Sequence, residues 1–130
     1  MPLRIAVTTS DITYIKCDAI VNTPHETLSP GAGVDGALRR SAGPQLTMDT
    51  TLAISLDQTK RRKELIPGDI VITKVGRMTT AKAIIHACAP RMIPPGQVNP
   101  VVPKAKEARL LQFAYYRIIE CALEADYNHI

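Results

Sequence analysis

Residues 18–44 read DAIVNTPHETLSPGAGVDGALRRSAGP, and the order of residue types in this stretch decides how the chain is expected to fold. A short apolar run, Ala19, Ile20 and Val21, ends at Asn22 and gives way to polar and turn-forming residues, as a buried strand does at its end. Pro30, Gly31 and Gly33 follow, and then Val34, Ala37 and Leu38 recur at helical spacing. The stretch therefore reads as a strand, a glycine-rich loop and a helix that the loop opens. Glycine lacks Cβ, so such a loop brings its backbone close to a ligand, and the N–H groups of the first helical turn have no partner within the helix. Together they suit an anion, a diphosphate above all. An ordinary acidic helix start is the plainer alternative, because Asp35 stands in the first turn, where a carboxylate gains about 0.3 to 1 kcal/mol from the helix dipole.

Outward from this core the chain alternates between the two periodicities. Residues 3–8 are rich enough in β-branched side chains for a first strand, after which Ser10 and Asp11 supply turn and capping chemistry. Asp11 on its own reads as an N-cap. Gly43 and Pro44 suit the end of one helix and the start of the next. A second helix is expected over 44–63, with Leu46, Met48, Leu52, Ala53 and Leu56 on its apolar side, although its threonines lower the intrinsic propensity. Its four cations at 60–63 match the helix dipole, with a nucleic-acid patch as the alternative. Strands are expected at 70–75 and 83–89, so that with 19–21 three apolar runs form neighbouring inner strands of a sheet flanked by helices. His86 lies inside the last run and reads as a hydrogen-bonded structural residue; a nucleophilic pair with Cys88 is the remote alternative. Pro90, Pro94, Pro95, Pro100 and Pro103 make the next segment a rigid extended connection, and 104–126 is an amphipathic helix.

Composition narrows the partners. One domain over residues 1–130 is expected from the length. Hydrophobic residues make up 45% of the chain and aromatics 4%, so the core is aliphatic and few rings are at hand to stack on a ligand. A net charge of +4 biases the chain toward anions but does not single out nucleic acid, which is not expected as a partner. Cys17, Cys88 and Cys121 form neither a metal-ligand spacing nor an even disulfide set, so no metal is expected and a reducing, intracellular setting, cytoplasmic or nuclear, fits best. No apolar run approaches a membrane span, and no membrane association is expected.

Taken together, Ser10-Asp11-Ile12-Thr13, Asp18-Ala19-Ile20-Val21-Asn22, the glycine loop with Val34-Asp35-Gly36-Ala37, and Ser41-Ala42-Gly43-Pro44 resemble in order and spacing the N-terminal half of a macro domain. Gly68 to Thr73 and Ala83 to Pro90 are similar to that family's middle strands, and the resemblance runs from about Arg4 to Tyr127. It implies an α/β three-layer sandwich, a central mixed sheet between helices, and binding of ADP-ribose, which some members hydrolyse from esters or proteins. It further implies that Asp11 and Ile12 address adenine, that Asn22 lies in the distal ribose region, and that Gly31, Ala32, Gly33 and Val34 face the diphosphate. In hydrolytic members an acid at the Asp35 position, with an asparagine three residues after the Asn22 position, orients substrate or water; here that asparagine is His25. The family's Asn-Ala-Ala-Asn has become Asn22-Thr23-Pro24-His25, and Arg39 stands where histidine is frequent. The resemblance also implies a further strand and a second glycine-rich loop after the last helix, which the sequence to Ile130 does not contain, so the fold is expected to be abbreviated at that end.

The expected function is thus a binding module for ADP-ribose or a related nucleotide, free or as ADP-ribosylated protein, needing no cofactor. The alternatives are an ADP-ribosyl or O-acetyl-ADP-ribose hydrolase using Asp35 and His25, and an interaction domain with a vestigial pocket. A second copy or a partner chain is expected over the open sheet edge, since exposed edges are usually shielded.

Overall fold

The computed structural model describes residues 3–56, 64–90 and 104–130. A 3-10 turn (Ile12–Tyr14) precedes β1 (Ala19–Asn22), α1 (Gly33–Ala42), α2 (Pro44–Leu56), β2 (Ile70–Thr73), β3 (Ala83–Ala87) and α3 (Lys104–Glu124). The strands form a mixed sheet in the order β1-β3-β2. β1 runs parallel to β3 with Asn22 beside His86, and β2 runs antiparallel to it with Thr73 beside Ile84.

Side chains alternate across the two faces of this sheet, and each face has its own core. On one face Ile20 and Ile84 pack with Leu38 and Ala42 of α1 and Leu46 of α2. On the other, Ala19, Ala83 and Ile85 pack against Ala122 of α3, with Val21, Ile70 and Tyr127 at the margin. Being covered on both sides, β3 is buried at all five positions, which is why it reads as an unbroken apolar run. The result is the expected layering, helices on both faces of a mixed sheet. A third, smaller cluster of Leu28, Leu65 and Cys88 anchors the loop after β1.

Several expectations change. Residues 3–8 belong to no strand: Leu3, Ile5 and Val7 are 83%, 84% and 94% exposed, because β-propensity without a neighbouring strand makes no ladder. Among the described residues only β3 has a strand on each side, so β1 and β2 are edges rather than inner strands. Strands and helices also stop short of the expected ends, at Thr73, Ala87 and Glu124. In α2, Met48 and Leu52 are exposed while Thr50 is fully buried beside Leu46; the threonine read as a weak helix former is a core residue. In α3 the buried line is Glu107, Ala114, Ile118 and Ala122, leaving Tyr115 exposed. The basic run at 60–63 and the prolines at 94, 95, 100 and 103 lie outside the described residues. No helix among the described residues is long and apolar enough to cross a membrane.

The end of α1 is held by the turn between β2 and β3. Gly43 closes the helix with its N–H on Arg39 O at 2.9 Å, and Pro44 starts α2, as expected. Arg77 then donates its backbone N–H to Ala42 O at 3.0 Å and its guanidinium to Arg40 O and Ser41 O, satisfying carbonyls that the helix itself leaves open. This close docking needs Gly76, whose φ is +56° and where a Cβ would collide with the Ala42 carbonyl. Gly33, at φ +61°, has open space around it. Gly76→Ala is expected to cost about 2 to 4 kcal/mol and Gly33→Ala about 1 kcal/mol, since both pay left-handed strain and only the first also clashes. Urea melts of the two variants check this, and equal losses would rule out the docking as a constraint.

Candidate functional site

The carboxyl end of β1 carries the side chain on which the site is built. Asn22, the last residue of that strand, is fully buried, and the parallel register sets it beside His86. Its Nδ2 donates to Asp35 Oδ1 at 2.8 Å and lies 3.1 Å from His86 Nδ1. Reversing the amide would turn its oxygen onto the carboxylate, so this orientation is the one the charges require. An amide nitrogen only donates, so His86 Nδ1 accepts, and Nε2–H donates to Thr73 Oγ1 at 2.9 Å. Burial, with Arg39 nearby, lowers the His86 pKa to about 4 although Asp35 opposes the shift, so the imidazole is neutral at neutral pH. His86 is the structural histidine expected of it. Cys88 lies beyond the end of β3, and burial pushes its pKa up, the reverse of an activated thiol. One atom is left over: Asn22 Oδ1 is buried and accepts no hydrogen bond.

Asp35 ties the glycine loop to the helix that follows. Its Oδ2 accepts from the Gly31 backbone N–H at 2.7 Å and from Arg39 Nε at 2.9 Å, while Oδ1 takes the Asn22 amide. Burial alone would raise its pKa, but the hydrogen bonds from Asn22, Arg39 and Gly31, with the Arg39 charge, outweigh that and hold it below the usual 3.8. Asp35 is therefore an anion at neutral pH. Arg39 is itself buried and hydrogen-bonded: its Nη2 donates to Leu28 O at 2.9 Å and its Nη1 to the hydroxyls of Thr47 and Thr50. Leu28, buried at φ +57°, is thereby held in a conformation that leucine rarely adopts.

The remaining expected residues lie around this cluster. Asp11 caps the 3-10 turn, accepting at Oδ1 from the Thr13 N–H (2.9 Å) and hydroxyl (2.7 Å), and Ile12 begins that turn, half-buried against the α1 core. Ala32 is the N-cap of α1 and makes no side-chain cap, so the N–H groups of the exposed first turn at Gly33 and Val34 have no helical partner. Gly31 differs, since its N–H is taken by Asp35 and is not a free donor. His25 turns to its own loop, with Nδ1 2.8 Å from Thr27 Oγ1 and Nε2 3.6 Å from Glu26. Asn22, Gly31 and Asp35 are thus joined directly by hydrogen bonds, whereas Asp11 and His25 hydrogen-bond within their own turns. The network members that the sequence did not point to are Thr47, Thr50 and Thr73; Arg39 was legible in principle, four residues after an acid on one helix. A shallow hollow among the described residues lies elsewhere, between α2 and β2; of this network only Thr73 lines it, and none of the ligand-binding residues expected from the sequence does. No cluster of metal-binding side chains occurs among the described residues.

Two measurements test this reading of the network. Arg39→Ala leaves the Asp35 carboxylate buried without its cation and is expected to cost about 3 to 5 kcal/mol in a denaturant melt; a loss below 1 kcal/mol would show that the pair is not holding the loop. For His86 the depressed pKa means a stability contribution that is complete above pH 6.5 and shrinks on acidification toward about pH 4, worth about 3 kcal/mol over that window. Nitrogen-15 shifts are expected to show the neutral Nε2–H tautomer at pH 6. Protonation near 6.5 would contradict the assignment.

Against known proteins the same elements recur. The Macro domain family matches residues 21–130. The chain is 39% identical over 130 residues to an O-acetyl-ADP-ribose deacetylase of Citrobacter rodentium, covering all of this chain and 66% of that protein. A protein of the same name from an Enterobacter species is 39% identical over 128 residues, covering 98% of this chain and 63% of its own length. The chain thus spans a little under two thirds of these curated relatives. Among solved structures, a mutant of the Oceanobacillus iheyensis macrodomain with ADPR superimposes with a TM-score of 0.72 at 27% identity, over 87% of this chain and 55% of that one. With the strand-loop-helix core, the mixed sheet and a family match over most of its length all in agreement, the chain belongs to the macro domain family.

Proposed function

We propose that residues 1–130 act as one macro-type unit that binds ADP-ribose, free or attached to a protein, rather than turning it over. The observation that carries this reading is Asn22 Oδ1, a buried acceptor without a donor, held beside the carboxylate that clamps the glycine loop. Buried polar atoms are almost always paired, and a ribose hydroxyl supplies the missing donor. The Gly33 and Val34 N–H groups, with that of Ala32, then take the diphosphate at the positive end of α1, while Gly31 shapes the loop without donating. Asp11 keeps its Oδ2 for the adenine amino group, because only Oδ1 is used by Thr13. The bound ligand of the Oceanobacillus relative supports the choice of ADP-ribose.

The second reading is hydrolysis of an O-acetyl-ADP-ribose ester, favoured by the names of the bacterial relatives. Under it, Asp35 orients a water and His25 is the base. Asp35 is poorly placed to carry a proton itself, since both of its oxygens already accept hydrogen bonds and its pKa is lowered. Binding is therefore the stronger proposal.

Calorimetry with ADP-ribose decides between these readings. The wild type is expected to bind, and Asp11→Ala to bind at least ~10-fold more weakly through loss of a charged acceptor. Incubation with O-acetyl-ADP-ribose is expected to yield no product above the buffer rate; turnover that disappears in both His25→Ala and Asp35→Ala would transfer the assignment to the hydrolase. Neither heat nor a chemical-shift change at Asp11 and Gly33 would leave an interaction domain with a vestigial pocket.

A further inference from the structure

The site as described offers backbone donors to a phosphate but no charge, since Asp35 is an anion and Arg39 is spent on it. The next residue is different. Arg40 is exposed, and its side chain makes no hydrogen bond or ion pair with any described residue. Side chains on a helix lean toward its N-terminus, and that of Arg40 lies back along α1 over Gly36, one turn earlier. Its Nη1 is 3.2 Å from the point where a Cβ on Gly36 would stand, and Gly31 O is 2.9 Å from the same point. The guanidinium therefore sits against the glycine loop, in space that Gly36 leaves open. The same cation acts on Asp11: hydrogen bonds from Thr13 chiefly lower its pKa, and the Arg40 charge adds to them. An unpaired arginine thus stands against the proposed diphosphate loop, and its charge also acts on Asp11.

We propose that Arg40 is a ligand-binding residue of this site, supplying the positive charge that faces the ligand's phosphates beside the N–H groups of Ala32, Gly33 and Val34. This rests on the ADP-ribose reading and adds a preference to it: the phosphates, more than the base, are recognised by charge. A guanidinium forms paired, charge-assisted hydrogen bonds with phosphate oxygens, which backbone donors alone do not replace.

The test compares Arg40→Gln and Arg40→Lys with the wild type, and uses Lys106→Gln, at an exposed position on α3, to control for net charge. Each is titrated with ADP-ribose, ADP and adenosine at one ionic strength. Arg40→Gln is expected to weaken ADP-ribose and ADP by roughly tenfold and to leave adenosine unchanged. Arg40→Lys should lose less than the glutamine variant, and Lys106→Gln nothing. If Arg40→Gln binds ADP-ribose like the wild type, or loses adenosine as strongly, the inference falls while the ADP-ribose reading stands. If wild-type protein binds no ADP-ribose, that reading fails first and the inference with it.

Discussion

The structure depends on keeping one carboxylate charged in the interior. Burying an ionised acid costs several kcal/mol even after relaxation, and the cost is met only if hydrogen-bond donors and an opposite charge surround it. Asp35 obtains the Asn22 amide from β1, the Gly31 N–H from the loop and the Arg39 guanidinium from its own helix. Arg39 passes the requirement on to Leu28 O in the loop and to Thr47 and Thr50 in α2. Asn22 passes it to His86 in β3, and His86 to Thr73 in β2. One polar network therefore fixes β1, the glycine loop, α1 and α2 relative to the sheet, and a change at any member leaves another buried group unpaired.

The groups that look most reactive in the sequence, Asp35, His86 and Cys88, are used or silenced by the fold: the acid is saturated, the imidazole is neutral with both nitrogens bonded, and the thiol is buried with a raised pKa. What remains open to a ligand is less conspicuous. It comprises the first-turn N–H groups of α1 and the exposed Asp11 and Arg40 side chains, while one amide oxygen, that of Asn22, is buried and without a donor. The proposed binding of ADP-ribose draws on this inventory. Its position agrees with a general rule for α/β sheets, in which ligands bind beyond the carboxyl ends of the strands.

Hydrophobic packing and the network divide the work. Ile20, Leu38, Leu46 and Ile84 hold α1 and α2 on the sheet without specifying a rotation that brings Asp35 to Asn22; the hydrogen bonds supply that specificity. The other face, where Ala122 of α3 packs on Ala19, Ala83 and Ile85 of the sheet, carries none of this buried polar network. The site is therefore built on one side of a sheet whose other side only supports it.

The sequence by itself determined the strand-loop-helix core, the break at Gly43 and Pro44, the unbroken apolar run of β3 and the family, because each rests on local chemistry: glycine in a tight turn, a side-chain period, proline at a helix start. Residues 3–8 show the limit, since their alternation promises a strand that only a neighbouring strand can complete. Tertiary structure alone decided that Thr50 is core, that Gly31 has no N–H to offer, and that Arg39 is a strut while Arg40 is open. It also decided that Asn22 and His86, 64 positions apart, share two hydrogen-bonding atoms. Burial and partner choice are properties of residues brought together from afar, and a strand register or a helix rotation must exist before a side chain has a neighbour to satisfy it.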